Sequence, residues 1–238
     1  MKKLNELYSG YPEILINDIK INSKEVNKGD LFVCIKGVSV DRHDYVLDAI
    51  NNGAVAVVAS KKIDVSVPVI YVNDTNLELI NLCQKFYDYN PDDLRIIGVT
   101  GTNGKTTVAS IIQNLIGDNT CGYLGTNGII CSKFNEKIRN TTPDADRLYK
   151  YFKRFKDNGC NIISMEASSE AFLRGRLNGL NFDVGILTNI TEDHLNIHKT
   201  IDNYIESKGK LFKQVKHGGI SILNRDDKYY IIYLDILK

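Results

Sequence analysis

Residues 98–107 read Gly98-Val99-Thr100-Gly101-Thr102-Asn103-Gly104-Lys105-Thr106-Thr107. The apolar run Arg95–Thr100 leads into this segment and has the length and composition of a buried strand. After the segment, apolar side chains recur at helical spacing, at Val108, Ile111, Ile112, Leu115 and Ile116. This spacing places them on one face of a helix. A strand, a glycine-rich turn and a helix in this order predict an α/β unit of a parallel sheet.

The glycine-rich turn has the chemistry of a phosphate-binding loop. Glycine lets the backbone turn tightly, so that successive N–H groups point at phosphate oxygens, and the helix N-terminus adds a positive dipole. Lys105 supplies charge for the β- and γ-phosphates, and the Thr106 hydroxyl can ligate Mg²⁺. We predict that the phosphates are bound by the turn residues Gly101, Thr102, Asn103, Gly104, Lys105, Thr106 and Thr107. A turn without a ligand is the alternative, because the general motif has glycine where this chain has Val99.

Outward from the turn, short apolar runs alternate with helical patterns along the whole chain. Strands are predicted at Leu31–Ile35, Val55–Ala59, Val67–Val72, Arg95–Thr100, Tyr123–Thr126, Ile162–Glu166, Val184–Asn189 and Ile220–Asn224. Helices are predicted at Tyr45–Asn51, Asn76–Tyr89, Asp144–Lys156 and Ile201–Lys216, besides the one after the turn. This alternation predicts an α/β fold with a mostly parallel sheet, helices on both faces and ligands at the carboxyl ends of the strands.

A polar segment with a proline, residues 88–93, interrupts the pattern and predicts a domain boundary near residue 91. We therefore expect a small N-terminal α/β domain over 1–90 and a phosphate-loop domain over 91–238.

The bulk composition is that of an ordinary globular protein. The net charge of +1 gives no general attraction to nucleic acid or to an anionic membrane, so any anion must be held by a local site. The five cysteines are scattered and form no CxxC pair, which disfavours a disulfide framework or a zinc knuckle. The N-terminus lacks an apolar segment of the signal-peptide type, and we expect a cytoplasmic protein.

The sequence of the segment Gly101–Thr107 resembles the phosphate-loop motif of the Mur ligase family and of its relative folylpolyglutamate synthase. Four further segments, in the right order, resemble the Mur branch and most of all the UDP-N-acetylmuramoyl-tripeptide synthetases, which add the third residue of the peptidoglycan stem. These segments are Asn22–Lys24 with Gly29–Val33, Asn140–Pro143, Met165–Arg176, and Thr188–His198 with Tyr204–Lys208. The resemblance covers about residues 20 to 225 and implies that the 1–90 domain binds the UDP precursor and the 91–238 domain binds ATP.

The resemblance also implies the substrate contacts. Ser23 would contact the UDP moiety, and the muramoyl peptide would be held by Asn140, Thr141, Thr142, Ser168, Arg174 and Arg176. Structural alternatives exist for these contacts. Ser23 could lie in a plain turn before a strand, and Arg174 or Arg176 could be a solvated loop residue. Thr142 could cap a helix with Pro143 at its first position, a role that is compatible with substrate binding.

The chain departs from the family pattern at several of the implied contacts. Asn22 and Lys24 replace an aspartate and an arginine, Glu170 replaces a histidine, and glutamine is often found at position 174. Residues 38–40, which align with another nucleotide-sugar contact, are unlike those usually found there.

For the metal, the resemblance implies Mg²⁺ bound by Thr106, Glu166, His194 and Lys208, the last as a carbamate formed with CO₂. Lys105, Glu166, His194 and Lys208 would then be the catalytic residues. Carbamate formation needs a neutral amine, so the site must lower the pKa of Lys208. His194 and His198 are spaced for zinc on a helix, but they follow a strand and lack a third soft ligand.

The implied function is an ATP- and Mg²⁺-dependent ligase that joins an amino acid to UDP-MurNAc-L-Ala-D-Glu through an acyl phosphate. Lysine and diaminopimelate both remain open as the added amino acid. These ligases normally continue into a third domain, so we expect that this chain is an incomplete ligase and that its activity alone is open. The alternatives are a folylpolyglutamate synthase-like ligase and a non-catalytic fragment that binds a nucleotide or a UDP-sugar.

Overall fold

The computed structural model describes residues 1–37, 40–191, 193 and 195–237. It divides the chain into two compact units, Met1–Tyr89 and Asn90–Lys238. None of the helices formed by the described residues has both the length and the hydrophobicity needed to cross a lipid bilayer.

The first unit is built on a four-stranded parallel sheet with the order β3-β4-β5-β6, beside a two-stranded antiparallel ladder of β1 and β2. Its elements are β1 (Lys2–Lys3), α1 (Leu4–Leu7), β2 (Leu15–Ile16), β3 (Ile19–Lys20), β4 (Leu31–Val33), α2 (Val46–Asn51), β5 (Ala56–Ala59), β6 (Val69–Tyr71) and α3 (Thr75–Phe86). Strands β4 and β5 are apolar and fully buried, because helices and loops cover both faces of a parallel sheet. Asp74 caps α3 by accepting hydrogen bonds from the backbone N–H groups of Asn76 and Leu77.

The second unit is built on a seven-stranded sheet with the order β10-β9-β8-β11-β7-β12-β13. Its elements are β7 (Arg95–Thr100), α4 (Lys105–Ile116), β8 (Cys121–Gly125), β9 (Gly128–Cys131), β10 (Phe134–Glu136), α5 (Ala145–Asp157), β11 (Ile162–Glu166), α6 (Ser169–Leu173), β12 (Phe182–Leu187), α7 (Leu195–His198), α8 (Ile201–Lys213), β13 (Val215–Leu223) and α9 (Tyr230–Ile236). Strands β8, β11, β7, β12 and β13 are parallel, whereas β9 and β10 are antiparallel. The predicted α/β class with a mostly parallel sheet is confirmed.

The register of the central strands brings their polar ends together. Strand β11 pairs with β7 so that Glu166 lies opposite Val99, one residue before the end of β7. Strand β12 pairs with β7 on its other side, with Leu187 opposite Thr100. The carboxyl ends of all three strands therefore lie at one edge of the sheet, where parallel α/β folds bind their ligands.

Helix α4 packs on the sheet with only part of its apolar face. Val108, Ala109 and Ile112 pack against Val99 and Tyr123. By contrast, Ile111 is half exposed and Leu115 is 82% exposed. The five apolar positions were predicted to share one helical face, and the structure buries only the side of that face next to Ala109 and Gln113.

The C-terminal segment forms helix α9, which packs against α8. Tyr233 is completely buried, its hydroxyl donates to the Ile205 carbonyl at 3.1 Å, and its ring contacts Phe212 edge-to-face. Tyr233 is thus part of the core of the second unit, whereas Ile231 and Ile232 on the same helix are exposed.

Candidate active site

A cleft of about 580 Å³ opens at the carboxyl edge of the seven-stranded sheet. It is lined by Thr102, Asn103, Gly104, Lys105, Thr106, Thr107, Thr126, Arg139, Asn140, Thr141, Thr142, Glu166, Ser168, Ser169, Glu170, Arg176 and Lys208. The structure thus gathers most of the predicted site residues of the second unit around one space, although they come from five separate segments of the chain.

The phosphate-loop turn, residues 101–107, connects β7 to α4. Gly104 occupies the N-cap of α4 with φ +83°, a conformation that glycine adopts without strain. The Lys105 amino group folds back and donates to the carbonyl oxygens of Gly101 and Thr102, both at 2.9 Å. Burial lowers the pKa of Lys105, although Glu166 and Asp193 oppose this shift. The turn therefore presents a lysine and the N-terminus of a twelve-residue helix to the cleft.

The loop after β12 holds the turn in place. The Thr188 hydroxyl donates to the Asn103 carbonyl at 2.6 Å, and the Asn189 side chain accepts from the Asn103 N–H at 3.1 Å. The Thr102 hydroxyl donates to the Thr191 carbonyl at 3.2 Å. These contacts fix the backbone of the turn before any ligand arrives. They also occupy the N–H groups of Thr102 and Asn103, which donate to the Asn189 carbonyl and the Asn189 side chain.

Gly101 is the point of closest approach between the turn and this loop. Its φ is +146°, and a Cβ atom there would lie 1.9 Å from the Thr188 hydroxyl oxygen and 3.1 Å from the Asn189 carbonyl oxygen. We expect Gly101→Ala to lower the free energy of unfolding by about 2–3 kcal/mol and to weaken nucleotide binding, as measured by urea denaturation and calorimetry.

Gly117→Ala is the matched control for this substitution. Gly117 also has positive φ, +97°, but an added Cβ would meet nothing within 4 Å. This variant should show only the backbone cost of about 1 kcal/mol and bind nucleotide normally. Equal losses in the two variants would refute the steric explanation.

Glu166 ends β11 at the centre of the site, with 1% of its surface exposed. One carboxylate oxygen accepts hydrogen bonds from the Thr106 hydroxyl at 2.9 Å, the Tyr123 hydroxyl at 2.6 Å and the Thr126 N–H at 2.8 Å. A Cβ atom at Gly125 would lie 2.4 Å from the same oxygen, so glycine leaves room for the carboxylate. These contacts hold an anionic oxygen directly beside the Thr106 hydroxyl.

Lys208 lies on α8 and reaches into the same cleft. It is 1% exposed, its amino group donates to the Gly101 carbonyl at 2.7 Å, and it lies 4.3 Å from the centroid of the Tyr204 ring. Burial, helped by the nearby charge of Lys105, lowers the pKa of Lys208 to about 6, whereas Asp193 opposes the shift. At neutral pH the amine is therefore largely uncharged, which is the state that reacts with CO₂.

The oxygen donors fit a hard divalent cation. Thr106 and Glu166 place a hydroxyl and a carboxylate oxygen 2.9 Å apart at the strand edge, and oxygen ligands are those that Mg²⁺ prefers. Within the described part of the chain, no three His, Cys, Asp or Glu side chains are grouped to hold a metal. The predicted ligand His194 lies outside the described residues, so its metal role stays a prediction.

The Asn140–Thr142 segment forms the far wall of the cleft. The Thr142 hydroxyl donates to the Glu166 carbonyl at 2.8 Å and accepts from the Ser168 N–H at 3.2 Å, while Thr141 lies 3.1 Å from the Thr126 hydroxyl. Thr142 is therefore tied to the end of β11 and does not cap α5, whose N-cap is Asp144. The helix-start alternative for this threonine was wrong.

The two predicted substrate arginines have different surroundings. Arg176 lines the cleft, donates to the Asp144 carboxylate at 2.8 Å and donates to the Thr142 carbonyl at 3.2 Å. Arg174 does not line the cleft and donates to Glu170, four residues earlier, at 2.7 Å. This geometry supports Arg176 as a cleft residue and favours the solvated-surface reading of Arg174.

Ser168 is the N-cap of α6 and accepts from the Ala171 N–H at 3.2 Å. Behind it, His198 is buried, with its Nε2 atom 3.0 Å from the Ser169 hydroxyl oxygen. The Ser207 hydroxyl donates to the Ser169 carbonyl at 2.7 Å. His198 therefore supports the start of α6, as a structural histidine would.

Ser23 lies in the first unit, at the start of a short 3₁₀ helix, Ser23–Glu25, capped by the Asn22 side chain. It is buried, and its carbonyl accepts a hydrogen bond from the Asn52 side chain at 3.0 Å. Asn22, which replaces the aspartate of the family pattern, caps this helix by accepting from the Lys24 N–H. The UDP contact of Ser23 stays a prediction.

Several residues that line the cleft or contact its lining residues were not predicted. Tyr123 and Thr126 bind the Glu166 carboxylate, Tyr204 lies 3.1 Å from the Thr102 hydroxyl, and Arg139 lines the far wall. Thr126 directly follows strand β8, and Tyr204 lies one helical turn before Lys208. Both positions were readable in the sequence, but their partners require the order of strands in the sheet.

Comparison with known proteins agrees with this geometry. The model of the Mur ligase middle domain matches residues 99–238, and that of the Mur ligase family catalytic domain matches residues 15–91. The UDP-N-acetylmuramoyl-L-alanyl-D-glutamate–2,6-diaminopimelate ligase of Halalkalibacterium halodurans is 40% identical in an alignment that covers 93% of this chain and 46% of that protein. The ligase of the same name from Listeria monocytogenes is 37% identical in an alignment that covers 95% of this chain and 49% of that protein.

Solved structures show the same relationship. A UDP-N-acetylmuramoyl-L-alanyl-D-glutamate–2,6-diaminopimelate ligase superimposes with a TM-score of 0.78 at 26% identity, over 99% of this chain and 50% of the other. MurF ligase from Thermotoga maritima, in complex with ADP, shares the fold with a TM-score of 0.63 at 24% identity, over 91% of this chain and 47% of the other. The chain spans about half the length of the relatives it matches. On the strength of the middle-domain match, this chain belongs to the Mur ligase family.

Proposed function

We propose that this chain binds ATP and a UDP-linked muramoyl dipeptide, UDP-MurNAc-L-Ala-D-Glu, as part of an ATP-dependent amide ligase of peptidoglycan synthesis. The observation that carries the proposal is one cleft that contains the phosphate-loop lysine, the buried carboxylate of Glu166 and the buried amine of Lys208. The relatives at about 40% identity are named for ligation of 2,6-diaminopimelate to this dipeptide. ATP and the UDP-linked precursor place the reaction in the cytoplasm.

A carboxylate does not react with an amine at a useful rate, so the reaction needs an activated acyl group. In the proposed sequence, a glutamyl carboxylate oxygen attacks the γ-phosphorus of ATP, the bond to the β-phosphate oxygen breaks, and ADP leaves. The amine of the incoming amino acid then attacks the acyl carbon, phosphate leaves with its oxygen, and the amine loses a proton. In phosphoryl transfer, most of the rate enhancement comes from positioning the reactants and neutralising their charge.

The residues of the cleft have distinct roles in this sequence. Lys105 neutralises phosphate charge that would otherwise repel the attacking carboxylate. The backbone N–H groups at the start of α4, residues 104–107, orient the triphosphate. Thr142 and Arg176 shape the acceptor end of the cleft.

Mg²⁺, when bound, supplies a Lewis acid that stabilises charge on the phosphates. Thr106 and Glu166 would hold it, together with His194 and Lys208 as its carbamate. Because the Lys208 amine is buried and largely neutral near pH 7, it is suited to carbamate formation.

A phosphate-release assay tests the proposal. It contains the chain, ATP, Mg²⁺ and UDP-MurNAc-L-Ala-D-Glu, with diaminopimelate or lysine as the amine. We expect binding of both ATP and the UDP precursor, and phosphate release that depends on the precursor. Release that instead requires a tetrahydrofolate and glutamate would favour the folylpolyglutamate synthase-like alternative, and binding of both ligands without release would favour a non-catalytic role.

A further inference from the structure

The positive side chains of the cleft differ in how far other groups of the protein already engage them. At the phosphate-loop end, Lys105 donates to two carbonyl groups and Lys208 donates to one. At the acceptor end, the two cleft-lining arginines are Arg139 and Arg176. The partners of these two guanidinium groups decide the charge of this end.

The guanidinium group of Arg176 is largely engaged by other groups of the protein. Its Nε atom donates to the Asp144 carboxylate at 2.8 Å, and one of its terminal nitrogens donates to the Thr142 carbonyl at 3.2 Å. The ion pair leaves 14% of the Arg176 side chain exposed, and it balances the arginine charge locally. Arg176 therefore braces the far wall and contributes little net charge to the cleft.

The guanidinium group of Arg139, by contrast, is open to a ligand. It is exposed to solvent and lines the cleft, and it directly precedes the wall segment Asn140–Thr142. Within the described ranges its guanidinium forms no hydrogen bond or ion pair. The other charged side chain at this end, Glu170, pairs with Arg174. Arg139 is thus an uncompensated positive charge with all five N–H donors available to a ligand.

We infer that Arg139 binds the carboxylate of the acceptor that does not react. This inference rests on the proposed function. A terminal glutamate joined through its amine has two carboxylates, of which only one becomes the amide. The second stays anionic through the reaction and loses hydration when the acceptor enters the cleft. A guanidinium pairs with a carboxylate through two parallel N–H···O bonds, which would also orient the glutamyl group.

A binding cycle that varies both the protein and the ligand tests this pairing. Equilibrium affinities are measured for the UDP-linked dipeptide and for an analogue that carries a carboxamide in place of the non-reacting carboxylate. The wild type should bind the carboxamide about tenfold more weakly. Arg139→Gln should bind the carboxylate form about tenfold more weakly than the wild type, and it should bind the two ligands alike. Arg139→Lys should retain part of the discrimination, because it keeps the charge but not the bidentate geometry.

Lys137→Gln is the matched control, because it removes one exposed positive charge two residues away, outside the cleft. It should discriminate between the ligands as the wild type does. If Arg139→Gln still preferred the carboxylate tenfold, the assignment of Arg139 would be overturned, while the proposed function would stand. If the wild type bound an ATP analogue but neither acceptor, the proposed acceptor and the role of Arg139 would both fail.

Discussion

Replacement of Lys105 by alanine should lower the affinity for ATP by about a hundredfold. Lys105 is the cation at the tip of the phosphate-loop turn, and its amino group lies within hydrogen-bond reach of the backbone that would cradle the phosphates. Its loss removes a charge-assisted contact from a partly buried site, where water replaces it poorly. Isothermal titration with a non-hydrolysable ATP analogue measures the change.

The control for this substitution is Lys133→Ala, an exposed lysine beyond strand β9 that does not line the cleft. It should bind the analogue with wild-type affinity. Equal affinity of Lys105→Ala and the wild type would contradict a phosphate-binding role for the turn. Circular dichroism of both variants separates loss of the site from loss of the fold.

Replacement of Lys208 by methionine should make the folded protein more stable. The same substitution removes any function that the lysine has. A buried amine that would be protonated in the unfolded chain opposes folding, and methionine has a similar volume without the charge. We expect the free energy of unfolding to rise by about 2 kcal/mol at pH 7. Urea denaturation of the two proteins measures the difference, and a less stable variant would show that the amine makes net favourable contacts.

The gain from Lys208→Met should depend on pH in a defined direction. Burial lowers the folded-state pKa of Lys208 to about 6 from its ordinary value of 10.5. Between these values the unfolded chain binds more protons than the folded protein, so wild-type stability rises with pH there. The advantage of the variant should therefore be largest near pH 6 and shrink towards pH 9. An advantage that is constant over this range would contradict the lowered pKa.

The same pair of proteins tests carbamate formation. Any species that binds only the folded protein stabilises it by mass action. Added bicarbonate should raise the melting temperature of the wild type at constant pH and ionic strength, and it should leave Lys208→Met unchanged. A chloride control of equal ionic strength separates this effect from general salt effects.

Much of the fold was predictable because the apolar runs and the turn residues that follow them indicate the same elements. Strands β7 and β11 have the predicted bounds, since each is a short apolar run that ends at a polar or glycine-rich turn. The antiparallel pair β9 and β10 was not predicted, because its strands are only four and three residues long. Strand β13 was predicted only from residue 220, since Lys216, His217 and two glycines carry no apolar alternation, and the backbone pairing with β12 sets its start at Val215.

The candidate site was predictable where its residues follow strands. Thr106, Glu166 and Lys208 meet in one cleft, as the family motifs imply. The sequence could not separate Arg174 from Arg139, because two exposed arginines look alike until the wall of the cleft is known. An i,i+4 ion pair with Glu170 occupies Arg174, and this depends on where helix α6 ends.

The proposed function requires that the turn at residues 101–107 binds a triphosphate beside a magnesium held by Thr106 and Glu166. A crystal structure of the chain with Mg²⁺ and a non-hydrolysable ATP analogue would show this binding. We expect a phosphate oxygen within about 3 Å of the Lys105 amino group and the cation between the phosphates and the oxygens of Thr106 and Glu166. A nucleotide bound elsewhere, or a cation remote from both side chains, would contradict it.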